Sequence, residues 1–398
     1  MHRRKFLTTS LCTGAVPWLA SAKAAEVPAG PVSAAAARPP AVFGATVDSM
    51  AILQALDGPA SGYLEIGETP ELGIRVACDD SGLMQFDRHV LKFTLPLLKP
   101  GQRYHYRLVL RPIDFRDAYT IIPGAIVTSP TFSFKAPDPA AAETRFVVWN
   151  DTHENTELIR TLHGRTQSMQ PDFLLWNGDQ VNDNHNPAQM AEQYLCPGGM
   201  PIAAATPLVY VRGNHDVRGA AARDLHRFTG TPGKRFYYAY RSGPLAALVM
   251  DTGEDKPDDH PVLAGMTAFA AMRAEQTRWL EKITTEPWFA AAPHKVLFCH
   301  IPLWWSGQDG DQPYGTVAGA CRDEWLPLLL KAGVKIVISG HTHRHAWLPK
   351  DATRPISQLV GGGPQPAEAT LIAGHVTEDS LKLTVTDLTG GILRVVAI

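Results

Sequence analysis

At 398 residues, 45% hydrophobic and 19% charged, the chain has the length of two or three domains and enough apolar residues to bury large cores, which excludes a mainly disordered polypeptide. Thirty-three Gly and 32 Pro indicate many turns and connecting loops, better suited to a β-rich or α/β chain than to a helical bundle. A formal charge of −2 with no basic block argues against a nucleic-acid partner, because affinity for a phosphate backbone rests on Lys and Arg.

Residues 1–24 carry the parts of an export signal: a charged start at Met1-His2-Arg3-Arg4-Lys5, an apolar stretch from Phe6 to Ala20, and an A-x-A-like end at Ala22-Lys23-Ala24. The apolar stretch is too short to span a membrane, so no stable anchor is expected after cleavage. Arg3-Arg4-Lys5-Phe6-Leu7 resembles the twin-arginine signal, whose machinery carries folded proteins across the bacterial inner membrane. The resemblance implies that machinery as a partner and a periplasmic or secreted destination. Loss of Arg3, Arg4, Lys5 and Lys23 from the 37 basic residues leaves 33 against 39 acidic ones, a balance of −6. Cys12 follows Leu11, where a lipoprotein motif wants a small residue, and reads as part of the apolar stretch. Cys78, Cys196, Cys299 and Cys321 form no CxxC pair, which argues against a thiolate metal site and leaves their pairing open.

Residues 25–40 are rich in Ala and Pro without an apolar period and read as a linker. Over 41–137, short β-like runs alternate with turn signals, as in Gly62-Tyr63-Leu64-Glu65-Ile66-Gly67. In Tyr104-His105-Tyr106-Arg107-Leu108-Val109-Leu110 the residues Tyr104, Tyr106, Leu108 and Leu110 share one face. This pattern predicts a small all-β sandwich. Leu97-Leu98-Lys99-Pro100-Gly101-Gln102-Arg103-Tyr104-His105-Tyr106 resembles the late strands of fibronectin type III-like domains, including those that precede the catalytic domain of purple acid phosphatases. Pro137-Asp138-Pro139 marks a boundary, and a second domain is expected over 143–398. There, strand-length apolar runs alternate with helical stretches such as 266–284, which predicts an α/β domain closed by strands around Gly390-Gly391.

Five apolar runs in that domain end in metal-ligating residue types. Phe146-Val147-Val148-Trp149 precedes Asn150-Asp151-Thr152-His153, and Phe173-Leu174-Leu175-Trp176 precedes Asn177-Gly178-Asp179. The run from Leu208 to Val211 precedes Arg212-Gly213-Asn214-His215-Asp216, Val296-Leu297-Phe298-Cys299 precedes His300, and Ile336-Val337-Ile338-Ser339 precedes Gly340-His341-Thr342-His343. Open α/β sheets hold ligands beyond the carboxyl ends of their strands, so the five loops are expected to share one cleft. Asp, His and Asn donors suit Zn, Mn or Fe. Gly178, Gly213 and Gly340 are expected to permit tight turns that aim the next side chain inward.

The ordered set Asp-x-His, Gly-Asp, Gly-Asn-His-Asp, lone His and Gly-His-x-His strongly resembles the calcineurin-like metallophosphoesterases. The resemblance implies a four-layer αββα sandwich and two divalent or mixed-valence metal ions. Asp151, His153, Asp179 and His343 would hold one ion. Asp179 would bridge to the second, with Asn214, His300 and His341. A hydroxide shared by the ions would attack a small phosphoester substrate, His215 would donate a proton, and Asp216 would orient the His215 imidazole. The two rivals are a non-catalytic envelope-binding protein with a structural metal site and a pyrophosphate-bond hydrolase on the same fold.

Purple acid phosphatases have Asp-x-Gly in the first block and a metal-bound Tyr in the second, where this chain has His153 and Asn182, so their ferric preference does not carry over. Ser/Thr protein phosphatases place an Arg after Gly-Asp, where this chain has Asp183, which argues against phosphoprotein specificity and mildly favours diesters. Trp304, Trp305 and Tyr314 are candidates for substrate contact, and Asn182, Asp183, His185 and His345 for lining the pocket. His89, His105, His163, His226, His260 and His375 read as structural or surface histidines, and Trp149 and Trp176 as core beneath the metal loops.

Overall fold

A computed structural model describes residues 38–77, 79–233, 235–305 and 314–398. The leader at 1–24, the linker as far as residue 37, Cys78 and the Tyr314 side chain lie outside them.

Glu143–Trp149, Phe173–Asn177 and Leu208–Val211 run parallel and in register, with Trp149 beside Trp176 and Leu174 beside Leu208. They lie in the middle of a nine-stranded sheet whose far edge is built from Leu371–Thr377, Leu381–Thr386 and Ile392–Ala397. A six-stranded sheet contains the parallel strands Leu245–Met250, His294–Cys299, Ile336–Ser339 and Ser357–Val360. Near-continuous apolar runs form these strands because both faces of each sheet are covered.

Alternation along each strand assigns its side chains to layers. Phe146, Val148, Phe173, Leu175, Val209 and Val211 point from the first sheet into a shared core with Val249, Val296, Phe298, Ile336 and Ile338 of the second. Phe146 stacks on Phe173 at 5.3 Å and meets Phe298 edge-on at 5.8 Å, so truncating it to Ala should cost about 3–5 kcal/mol. On the opposite face, Val147, Trp149, Leu174 and Trp176 pack with Leu158, Ile159 and Leu162 of the helix Thr156–Met169. Leu297, Cys299 and Val337 of the second sheet cover Leu280 of Phe269–Ile283 and Trp325 of Tyr314–Ala332. The four layers are helix, sheet, sheet, helix. The helix expected over 266–284 spans Phe269–Ile283, and it starts where the Asp258 carboxylate accepts from the backbone N–H groups of Phe269 and Ala270 at 2.8 and 2.9 Å.

The N-terminal strands are less separate than their sequence implied. Ala60–Gly67 and Arg103–Asp117 anchor a seven-stranded sheet that packs on Val42, Ile52, Leu91 and Phe93. Those four residues lie on Ala41–Phe43, Ala51–Ala55 and Val90–Thr94, and these strands extend the nine-stranded sheet. Phe43 pairs in parallel with Leu208, and the other face of the strands, Ala41, Phe43, Leu53 and Val90, joins the core under the helices. The region expected as a self-contained sandwich over 41–137 therefore shares a sheet with the α/β layers. Among the described residues, no helix is long and apolar enough to cross a membrane.

Candidate metal centre

Three of the five loops leave the nine-stranded sheet and two leave the six-stranded one, and all five meet at the same edge of the sandwich. The backbone bends sharply to achieve this. Asp151, His153, Asp179, His341 and His343 all have left-handed φ values, 47°, 43°, 53°, 71° and 57°. Such a conformation is uncommon for a residue with a Cβ, and five together mark strain held by the surrounding fold. Of the three glycines expected to permit turns, Gly178 has a positive φ of 84°. At Gly213 and Gly340 the reason is space: an added Cβ would lie 2.2 Å from Asp179 Oδ1 and 2.3 Å from Asp151 Oδ2.

The donor atoms converge in two groups that share Asp179. Asp151, His153, Asp179 and His343 form the first, and Asp179, His300 and His341 the second, with one ligand atom per residue and all atoms in a group within 4.8 Å of one another. His153 Nε2 and His343 Nε2 are 3.1 Å apart, and His300 Nε2 lies 3.0 Å from Asp179 Oδ2. Asn214 joins the second group, with its Oδ1 2.8 Å from His341 Nδ1.

The chain's own hydrogen bonds set the tautomers. His300 Nδ1 donates to the Asn177 carbonyl at 2.8 Å, and His153 Nδ1 donates to Asn182 Oδ1 at 3.1 Å. Each ring is left with Nε2 turned inward. His300 Nε2 is buried and has no hydrogen bond of good geometry, despite its closeness to Asp179. An orphaned imidazole nitrogen aimed at a buried carboxylate, beside two facing Nε2 atoms, is the environment that N/O-ligated cations require.

Burial and charge oppose each other here. Burial raises the Asp151 pKa well above the usual carboxylate range. Burial pushes Asp179 the same way, but His300, together with His215 and His153, outweighs it and the net shift is downward. Burial also lowers the His300 pKa, and here Asp179 and Asp151 prevail and bring it up to about 10. His153 and His341, with less compensation, are brought down by burial to about 4 and about 3. Neutral imidazoles beside an ionised Asp179 are ready to accept cations.

The expected role of Asp216 is corrected. Its carboxylate does not touch the His215 ring. Fully buried, it accepts from the backbone N–H groups of Asp179 at 3.1 Å, Gln180 at 3.2 Å and Gly213 at 2.8 Å, and from Tyr194 Oη at 3.0 Å. It is a brace between the second and third loops, because a carboxylate one residue past His215 in a tight 3-10 turn points back under the loop. His215 sits at the mouth, its ring 4.8 Å from that of His153 and its Nδ1 donating to the Asn182 carbonyl at 2.7 Å.

Several residues were missed from sequence. Asp255 Oδ2 accepts from Asn214 Nδ2 at 3.2 Å, which turns the amide oxygen toward His341. Arg218 lies against both His215 and the buried Glu254. A signal was present, since Leu245–Met250 is a sixth apolar run ending in Asp251-Thr252-Gly253-Glu254-Asp255. Of the aromatic candidates, Trp304 belongs to the core, whereas the Trp305 ring lies 5.7 Å from His341. His345 Nδ1 donates to the Val360 carbonyl at 3.0 Å, and His185 is exposed. Trp176 Nε1 donates to Thr152 Oγ1 at 3.2 Å, so this core residue also holds the first metal loop.

Two stacked sheets flanked by helices, with acidic and imidazole donors gathered at one strand-end edge, define an α/β sandwich protein with a candidate dinuclear metal site. Residues 144–345, about half of the chain, match the model of the calcineurin-like phosphoesterases, and the chain belongs to that family. Over 172 residues it is 30% identical to the serine/threonine-protein phosphatase CPPED1 of Mus musculus, covering 43% of this chain and 49% of that protein. The Homo sapiens protein of the same name is 28% identical over 147 residues, covering 36% and 44%. The chain thus spans about half the length of the curated relatives it matches. Among solved structures, a purple acid phosphatase from yellow lupin superposes with a TM-score of 0.67 at 16% identity, covering 90% of this chain and 73% of that one. PhoD superposes with a TM-score of 0.58 at 12% identity, covering 90% and 91%. At these identities the structures show a shared fold.

Proposed function

We propose that the chain is an exported, dinuclear-metal hydrolase of small phosphate mono- or diesters. The observation that carries this reading is the pair of donor clusters sharing Asp179, with His215 at their mouth. Asp151, His153, Asp179 and His343 would hold one cation, and Asp179, Asn214, His300 and His341 would hold the other. Bound there, the cations supply Lewis acidity and water of lowered pKa. His215 keeps Nδ1–H on the Asn182 carbonyl, so its Nε2 is the atom that passes a proton to the departing oxygen. Asp216 keeps the Asp179 and Gly213 backbones in place for the ligands they carry. Fe, Mn and Zn all suit this N/O donor set.

Export rests on the Arg3-Arg4-Lys5 leader, and the fibronectin type III-like character of the N-terminal strands rests on the Leu97–Tyr106 pattern. A second reading, hydrolysis of phosphoserine or phosphothreonine in proteins, is favoured by the similarity to serine/threonine-protein phosphatases, against Asp183 in the place of a phosphate-binding Arg. The test is elemental analysis of purified protein together with turnover of p-nitrophenyl phosphate, bis-p-nitrophenyl phosphate and a phosphoserine peptide. Two metals per chain with turnover of either aryl ester supports the reading, and faster turnover of the peptide moves it to phosphoproteins. Metal-replete protein that cleaves none of them, yet binds envelope material or cleaves pyrophosphate, overturns it in favour of a binding module or a pyrophosphate-bond hydrolase.

A further inference from the structure

The loop after Leu245–Met250 brings Glu254, Asp255 and Lys256 against Arg218, beside the ligand clusters but outside them. Arg218 forms a two-pronged contact with Glu254, Nε to Oε2 at 2.9 Å and Nη2 to Oε1 at 2.6 Å, and Nη2 also reaches Asp255 Oδ1 at 3.1 Å. Glu254 and Asp255 are buried, and Lys256 Nζ lies 2.6 Å from Asp255. Two cations and two anions cancel, so the cluster has no net charge with which to capture an anionic substrate. A fork on a buried carboxylate does something else: it fixes the guanidinium plane.

That plane presents Nη1 to His215. Nη1 is 2.9 Å from Nε2 and 3.3 Å from Nδ1 of the ring. Near-equal separations from the two nitrogens put the guanidinium over the Nδ1–Cε1–Nε2 edge, not in line with one lone pair. The Asn182 carbonyl meanwhile holds Nδ1–H at 2.7 Å. The imidazole is thus held at Nδ1 by the Asn182 carbonyl, while Arg218 Nη1 fixes the ring from one side through contacts to both nitrogens.

We infer that Arg218, anchored by Glu254, is a positioning residue that fixes the His215 imidazole for catalysis. The inference rests on the reading of His215 as the proton donor. Asp255, which touches Arg218, also sets the Asn214 amide, so one cluster orients both a metal ligand and the acid.

The test uses full-length, metal-replete protein and compares p-nitrophenyl phosphate, whose product leaves readily as an anion, with phenyl phosphate, whose product needs a proton. Arg218→Ala should lower kcat on phenyl phosphate on the order of 10²-fold, as a misplaced catalytic group does, with a much smaller loss on the nitrophenyl ester and two metals retained. The double variant with His215→Ala should be no slower on phenyl phosphate than His215→Ala alone. Arg218→Lys keeps the Glu254 charge partner but has no flat fork, so it should show the same leaving-group dependence if Arg218→Ala does not fold. Wild-type behaviour of Arg218→Lys across both esters, equal losses on both, or a raised KM with unchanged kcat would each overturn the inference. If His215→Ala itself shows no leaving-group dependence, the proton-donor reading has failed, and that result is distinct from a failure of Arg218 alone.

Discussion

Asp216→Asn separates the brace described above from the ring-orienting role expected from sequence. The substitution is isosteric and removes one acceptor. In the wild type, Oδ2 accepts from Asp179 and Gly213, and Oδ1 from Gln180 and Tyr194. The best arrangement for Asn keeps its oxygen toward Asp179 and Gly213, and the Tyr194 hydroxyl turns to accept from the new amide. The Gln180 N–H then faces another N–H and is left buried and unpaired, a cost of about 1–3 kcal/mol. The two retained bonds lose their charge assistance, roughly 1 kcal/mol more. Removing the charge also relieves its burial and its repulsion by Asp179, the two causes that raise the Asp216 pKa, and this offsets part of the loss. A net loss of about 2 kcal/mol is expected, read as a lower urea midpoint in metal-free protein at unchanged slope, together with weaker metal retention on dialysis. An unchanged midpoint and full metal content with turnover lost would refute the brace and restore the orienting role.

Asp255→Ala frees the Asn214 amide to rotate and should weaken one metal selectively, about 10–100-fold, measured by competition with a chelator; equal weakening of both metals would place Asp255 elsewhere in the site. His300, held at about 10 by Asp179 and Asp151, is protonated at pH 7 and must lose that proton to ligate, so loading metal-free protein should release a proton that His300→Ala does not. The release should be full at neutral pH and vanish as pH rises through about 10, and calorimetry in buffers of different ionisation enthalpy reads it directly. Replacing Arg3 and Arg4 with Lys should leave precursor in the cytoplasm, and normal export would point to the general secretory route.

The metal loops were legible because each is local: an apolar strand, a turn, then a donor within four residues. The position of Asp216 was not, because adjacency in sequence says little about direction inside a 3-10 turn, and there the carboxylate turned inward to the backbone. Arg218 and Asp255 were hidden for another reason. The apolar run Leu245–Met250 points toward them, but a Glu-Asp-Lys run reads as a solvated loop, and it is the tertiary fold that buries these acids against Arg218 and Asn214. The merging of the N-terminal strands with the nine-stranded sheet depends on Phe43 meeting Leu208, a pairing of distant segments with no local signature. A hint lay in Ala41–Phe43 and Ala51–Ala55, where apolar residues occupy both faces and a one-sided sandwich would have alternated.

That shared sheet bears on how the protein reaches its folded state. Leu208–Val211 leads directly into the Asn214 loop, and its outer neighbour comes from the beginning of the described chain. Gly44 N–H donates to the Leu208 carbonyl, Val42 N–H to Ala203, and Tyr106 Oη to Ala204, so the N-terminal layers also clasp the approach to that strand. A fragment cut at residue 143 would expose Leu208–Val211 as a bare, apolar edge, open to strand addition by another molecule. Synthesis makes the covering strands first, and they remain without their partner until residue 208 emerges. The two halves are therefore poor candidates for separate expression or for swapping with relatives, and the catalytic edge should mature late in folding, after a long-range closure.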